Sequence, residues 1–288
     1  YLSDARYRIK LDDLATQEIR RALSLTTGDT FPVQGVDVTA EEFSDRLARY
    51  ESITRTLQAI TILLAHWGGQ DHIPVIRKIV TRMAEQQVPM SGKVAWLNLR
   101  WYPAAILMYS GGIGAIAGEN YDNLSTLLLT PIHSENEAEG QKETVLRVVE
   151  ALLELERTFK LLPGHERYHV PRSEYLFKML QPDLDDLLFL GRSYEALFDR
   201  FEVLLALIHA DLLEQKRGYI WGPPGRFAWK YRGRIHDSSP FIEVTREATR
   251  QQDDWPSLRE GFFGASYQRF NEVASKYQEE LLNKLSWF

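Results

Sequence analysis

The stretch TAEEFSDRLARYESITRTLQAITILLAHWGG, residues 39–69, decides how the chain is to be read. Phe43, Leu47, Tyr50, Leu57, Ile60 and Leu64 recur at helical spacing, which lays them along one face of a helix. Thr39 with Glu42 makes a capping box at its start, and Gly68-Gly69 closes its end. A half-buried strand would instead alternate apolar and polar residues, and such alternation is almost absent throughout the chain.

The helical period continues on the C-terminal side. Val75, Ile76, Ile79, Val80 and Met83 predict a second helix, and Val145, Val148, Leu152, Leu155 and Phe159 a stripe over 144–159. The longest helix is predicted over 192–215, with Tyr194, Leu197, Phe201, Leu204, Ile208 and Leu212 inward and Glu195, Asp199 and Glu202 outward. A last one covers 264–286 through Tyr267, Phe270, Ala274, Tyr277 and Leu281. No repeat of fixed period is visible. The fold class is therefore all-α, an irregular helical bundle or stack.

Two connectors interrupt the pattern, TTGDTFPVQGVDV at 26–38 and the polar, acidic PIHSENEAEGQ at 131–141. The second divides the chain into helical blocks at 1–130 and 142–288, with one continuous domain as the alternative. The exception to helix is RGYIWGPPGRFAWKYRGR, 217–234. Tyr219–Trp221 and Phe227–Tyr231 flank Gly-Pro-Pro-Gly, which predicts one small β-hairpin, or a hairpin-like loop, projecting from the end of the long helix.

Composition narrows the function classes. Hydrophobic residues make up 44% of the 288 and charged residues 26%, an ordinary globular balance. The net charge of −6 argues against a whole surface that coats nucleic acid or anionic membrane. The absence of cysteine removes disulfides, thiolate nucleophiles and cysteine-ligated metals, and fits a cytoplasmic protein. The chain opens YLSDAR, without an initiator Met or a signal peptide, and reads as a piece of a longer polypeptide. WYPAAILMYSGGIGAIAG, 101–118, is uncharged, but Pro103, four glycines and few large aliphatics suit a buried helix better than a membrane span.

LLPGHERYHVP, 161–171, holds H-E-x-x-H as His165, Glu166 and His169. On a helix this spacing stacks two imidazoles for zinc and leaves the glutamate as general base. Here Pro163-Gly164 and Pro171 confine any helix to about two turns, so an interhelical loop is expected and a zinc hydrolase is the alternative. Gly112, Gly114 and Gly118 lack the strand–turn–helix setting of a dinucleotide loop and suit close packing. Pro182-Asp183 with Glu214-Gln215-Lys216 mimics a nuclease pattern, but its carboxylates fall at helix ends rather than on adjoining strands. No phosphate-binding loop or nucleophile elbow is present, and His209 reads as a structural histidine. These residues ask for no cofactor.

The basic segment is the anomaly. Lys216, Arg217, Arg226, Lys230, Arg232 and Arg234 lie within nineteen residues without one acid, interleaved with Tyr219, Trp221, Phe227, Trp229 and Tyr231. Such a surface suits phosphates and stacked bases. It equally suits a structural clamp, aromatics seating the segment and arginines pairing with acids. Arg226, Trp229, Lys230, Arg232 and Trp221 are the candidate partner- or nucleic-acid-binding residues. On an open surface, Arg226→Ala with Lys230→Ala would weaken binding and leave stability nearly intact.

The phrases WLNLRWYPAAILMYSGGIGA, YDNLSTLLLT, FEVLLALIHADLLE and WGPPGRFAWK, scattered over residues 40–235, resemble the helical C-terminal region of large bacterial sirtuin-like anti-phage effectors. The resemblance implies a sensor or assembly region that controls an enzymatic domain, and carries over no catalytic residue. The expectation is a soluble, non-catalytic helical module that binds a protein partner or itself, with nucleic-acid binding as the alternative and no membrane.

Overall fold

The structure, a computed structural model, describes residues 4–85, 91–133, 141–232 and 238–285. It forms two compact units, Tyr1–Phe189 and Leu190–Phe288. Among the described residues the fold is all-α, as the periodicity predicts, with one small β-hairpin.

The first unit contains α1 (Ala5–Leu25), α2 (Ala40–Trp67), α3 (Ile73–Ala84), α4 (Val94–Leu99), α5 (Tyr102–Ala117), α6 (Tyr121–Leu129), α7 (Thr144–Glu154), α8 (Glu156–Phe159) and α9 (Pro171–Leu188). Thr39 caps α2 by accepting the Glu42 amide at 3.2 Å, and the Gly68 amide closes it onto the Leu64 carbonyl. All six residues of its predicted apolar face are buried. The segment 101–118 becomes α5, buried from Tyr102 to Ile116 and packed by α2, α3, α6, α7 and α9. A helix apolar all round belongs in an interior. Among the described residues no helix is long and apolar enough to cross a membrane.

Glycines set how closely α2 and α5 approach. A Cβ at Gly111 would lie 2.8 Å from Thr61, one at Gly114 3.1 Å from the Ile62 carbonyl oxygen and one at Gly118 2.4 Å from the His66 carbonyl oxygen. The paired numbers rise together, so the two helices run in the same direction. This is close packing, as the sequence favours, and no phosphate loop. The Tyr102 and Tyr175 hydroxyls both donate to Glu51 Oε1, at 2.8 and 2.7 Å, tying α5 and α9 to α2. Burial raises the Glu51 pKa against these hydrogen bonds.

The β-hairpin lies at 131–143 rather than 217–234. Strand β1 (Pro131–His133) pairs antiparallel with β2 (Gln141–Glu143), with Ile132 opposite Lys142. The flanking α6 and α7 pack together. The expected joint at 131–141 thus falls inside the first unit, and its residues 134–140 lie outside the described ones.

The second unit is built on α10 (Tyr194–Arg217), with α11 (Arg226–Lys230), α12 (Pro240–Gln251), α13 (Pro256–Arg259), α14 (Tyr267–Tyr277), a π-turn at Gln278–Leu282 and α15 (Asn283–Leu285). Trp255, Phe263 and Phe270 are buried and pack ring against ring. After α10, Gly218 turns left-handed at φ 77°, and residues 219–225 run back along α10 as an irregular strap. Two glycines explain why no hairpin forms. A Cβ at Gly222 would lie 2.1 Å from the Ala206 carbonyl oxygen, and one at Gly225 2.1 Å from the Glu202 carboxylate. The glycines serve contact with α10, the prolines keep the strap irregular, and the following residues coil into α11.

Asp199 and Glu202 face inward, at 1% and 2% exposure, contrary to the outward placement that periodicity predicts. Both lie under the strap, which turns this side of α10 into an interior.

Candidate interaction sites

The strap leads into α11, whose Arg226 and Lys230 meet an acidic face of α10. Glu195, Asp199 and Glu202 follow one another at helical spacing, along one side of the helix. Arg226 is 8% exposed. Its guanidinium donates to Asp199 Oδ1 and to Glu195 Oε1, each at 3.0 Å, and its amide donates to Glu202 Oε2 at 2.9 Å. Lys230 donates to Glu195 Oε1 at 2.6 Å and lies 3.9 Å from Asp199 Oδ2. Burial pushes the Asp199 carboxyl up to about 6, against the opposing pull of Arg226 and Lys230. The hydrogen bond from Lys230 holds Glu195 below the usual carboxylate range.

The candidate binding residues therefore divide. Arg226 is enclosed and paired, not displayed. Lys230 is exposed but engaged with Glu195. Trp229 is half-buried, with the exposed Arg232 guanidinium 6.0 Å from its ring centre. Trp221 is half-buried, its ring 5.6 Å from that of His209, and its carbonyl is 3.0 Å from His209 Nδ1. His209 is thus a hydrogen-bonded structural histidine. Arg234 lies outside the described residues. The geometry is that of a clamp, and stability is not indifferent to the pair of substitutions considered above. Lys230→Ala alone should lower unfolding free energy by under about 1 kcal/mol in a urea titration, because the Lys230–Glu195 pair faces solvent.

The H-E-x-x-H residues lie in a run of turns, not on a helix. The one-turn stacking that zinc needs is missing: Glu166 accepts the Gly164 amide, and His165 Nδ1 sits 3.2 Å from the Pro163 carbonyl oxygen. His165 is half-buried between Tyr168 and Tyr175, and His169 is exposed. Among the described residues no three His, Cys, Asp or Glu side chains are grouped to hold a metal. Asp183 is paired with Arg55 in the first unit, and Glu214 with Arg269 and Lys276 in the second.

A site that the sequence reading passes over lies in the first unit. The N-terminal half of α1 and the C-terminal half of α2 flank a trough of about 1020 Å³. Ile60 and Leu64 form its buried floor, Leu11, Leu14, Leu63 and Trp67 its walls, and Gly69–His72 complete the lining. Leu14 is 44% and Trp67 54% exposed. The signal was in ITILLAHW, 60–67, where Leu63 and Trp67 add a second apolar stripe beside the core-facing one.

No family model matches this chain, and no curated protein or solved structure is found to resemble it.

Proposed function

We propose that this chain is a helical protein-interaction module, without a reaction of its own, that seats an amphipathic helix of a partner protein in the trough between α1 and α2. The observation that carries this reading is the pair of exposed walls, Leu14 and Trp67, over an apolar floor. A groove between two helices accepts the ridge of a third, and helix-in-groove recognition uses apolar anchors three and four residues apart. The resemblance to a regulatory region of defence effectors fits such a module, the trough then holding a segment of the domain under control. Nucleic-acid binding gains no support from a strap whose Arg226 and Lys230 are already matched by carboxylates.

Selection of displayed helix-forming peptides against the chain tests the proposal. Enriched sequences should carry apolar residues at i, i+3, i+4 and i+7, and should lose at least tenfold in affinity for Leu14→Glu with Trp67→Glu. The double variant should keep its stability within about 1 kcal/mol, since both side chains already face water. Enrichment without that spacing, or binding unmoved by the double variant, would contradict the proposal. Concentration-dependent dimerisation abolished by the same variant would assign the trough to a second copy instead.

A further inference from the structure

One enclosed polar ring is set into the apolar lining of the trough. The polar lining residues Gln70 and Asp71 are exposed and engaged with other side chains, Gln70 donating to Asp122 and Asp71 lying 3.5 Å from Arg8. His72 differs, since it lines the trough at only 7% exposure. Its Nδ1 accepts the Gly69 amide at 3.2 Å, and its own amide donates to the Gly69 carbonyl at 2.8 Å. An amide N–H can only donate, so Nδ1 is the bare nitrogen and the neutral ring carries its proton on Nε2. Among the described residues no group accepts that proton. The nitrogen is nevertheless not sealed from solvent.

We infer that His72 is a specificity-determining residue of the trough, its Nε2–H received by a side-chain oxygen of the helix seated there. This role presupposes the partner helix proposed above and specifies what that helix carries. A mostly apolar binding surface takes its selectivity from a few polar groups in fixed places. The bond from Gly69 holds the imidazole in one tautomer and one orientation, so the donor is in place before the partner arrives. A helix with a purely apolar face would strip water from Nε2–H and leave an enclosed donor unsatisfied. A carboxylate or amide side chain at that place replaces the water with an oxygen. The partner is thus an amphipathic helix with one Asp, Glu, Asn or Gln set among its apolar anchors.

Helix-forming peptides selected on the full chain, with affinities then measured by calorimetry, test this. Enriched sequences should place an Asp, Glu, Asn or Gln at one fixed step from the apolar anchors. Exchanging that residue for Leu or Met of similar size should weaken binding to the unmodified chain about tenfold. The same exchange should change binding to His72→Phe by less than about twofold. Apolar-spaced peptides that bind in the trough without such an oxygen, or equal losses on both chains, overturn the role of His72 and leave the trough reading standing. If no apolar-spaced helix binds at all, both fall. A second measurement needs no variant: two-bond proton–nitrogen NMR correlation of the His72 ring in the unmodified chain at mildly alkaline pH. A proton on Nε2 with Nδ1 bare supports the inference, and a proton on Nδ1 overturns it.

Discussion

Arg226→Ala should lower the unfolding free energy by about 3–5 kcal/mol, the range for breaking an enclosed ion pair by removing one partner. Asp199, 1% exposed, would lose the guanidinium at 3.0 Å that matches its charge. Glu195 is half exposed and can turn to water, so Asp199 carries most of the loss. The test is urea unfolding at pH 7 followed by far-ultraviolet circular dichroism, with Arg55→Ala as reference. Arg55 also pairs with an aspartate, but its side chain is 72% exposed, so its loss should stay under about 1 kcal/mol. Equal effects for the two arginines would mean that Arg226 is not enclosed.

Gly222→Ala should destabilise by about 3 kcal/mol, at the upper end of the range for overpacking. The new methyl would fall 2.1 Å from the Ala206 carbonyl oxygen and 2.9 Å from its carbonyl carbon. Both are backbone atoms in the middle of α10, so the helix cannot give way and the strap must lift. Gly218→Ala is the control. Its Cβ would meet nothing within 4 Å, and only the left-handed φ of 77° opposes it, an effect of about 1 kcal/mol. Similar values at the two positions would show that conformation, not contact, sets the requirement for glycine in the strap.

Much of the architecture was legible because it rests on periodicity. The faces of α2 and α3 follow from three- and four-residue spacing, as does the stripe Val145–Phe159, all buried as expected. A period reports which side of a helix is apolar, but not what later chain returns to cover the other side. Asp199 and Glu202 look outward on a helical wheel and become interior only because 219–226 lies over them. The same blindness made six cations without a local acid resemble an open basic finger, since the partners of Arg226 and Lys230 sit about thirty residues earlier. Gly-Pro-Pro-Gly was read as a reversal because turns are its usual use, whereas here Gly222 and Gly225 answer a steric demand from another helix. The H-E-x-x-H segment behaved as its flanking prolines required. The trough escaped notice because Leu63 and Trp67 mark a second apolar stripe on α2 but not the gap beside α1 that the stripe lines.

The account turns on whether Arg226 faces inward, and a double-mutant cycle between Arg226 and Asp199 measures this most directly. Stabilities of the unmodified chain, Arg226→Ala, Asp199→Ala and the double variant yield the coupling energy of the pair. The structure predicts a coupling of at least about 2 kcal/mol at pH 7. A coupling near zero, with Arg226→Ala alone nearly neutral, would place the guanidinium in solvent and contradict the clamp.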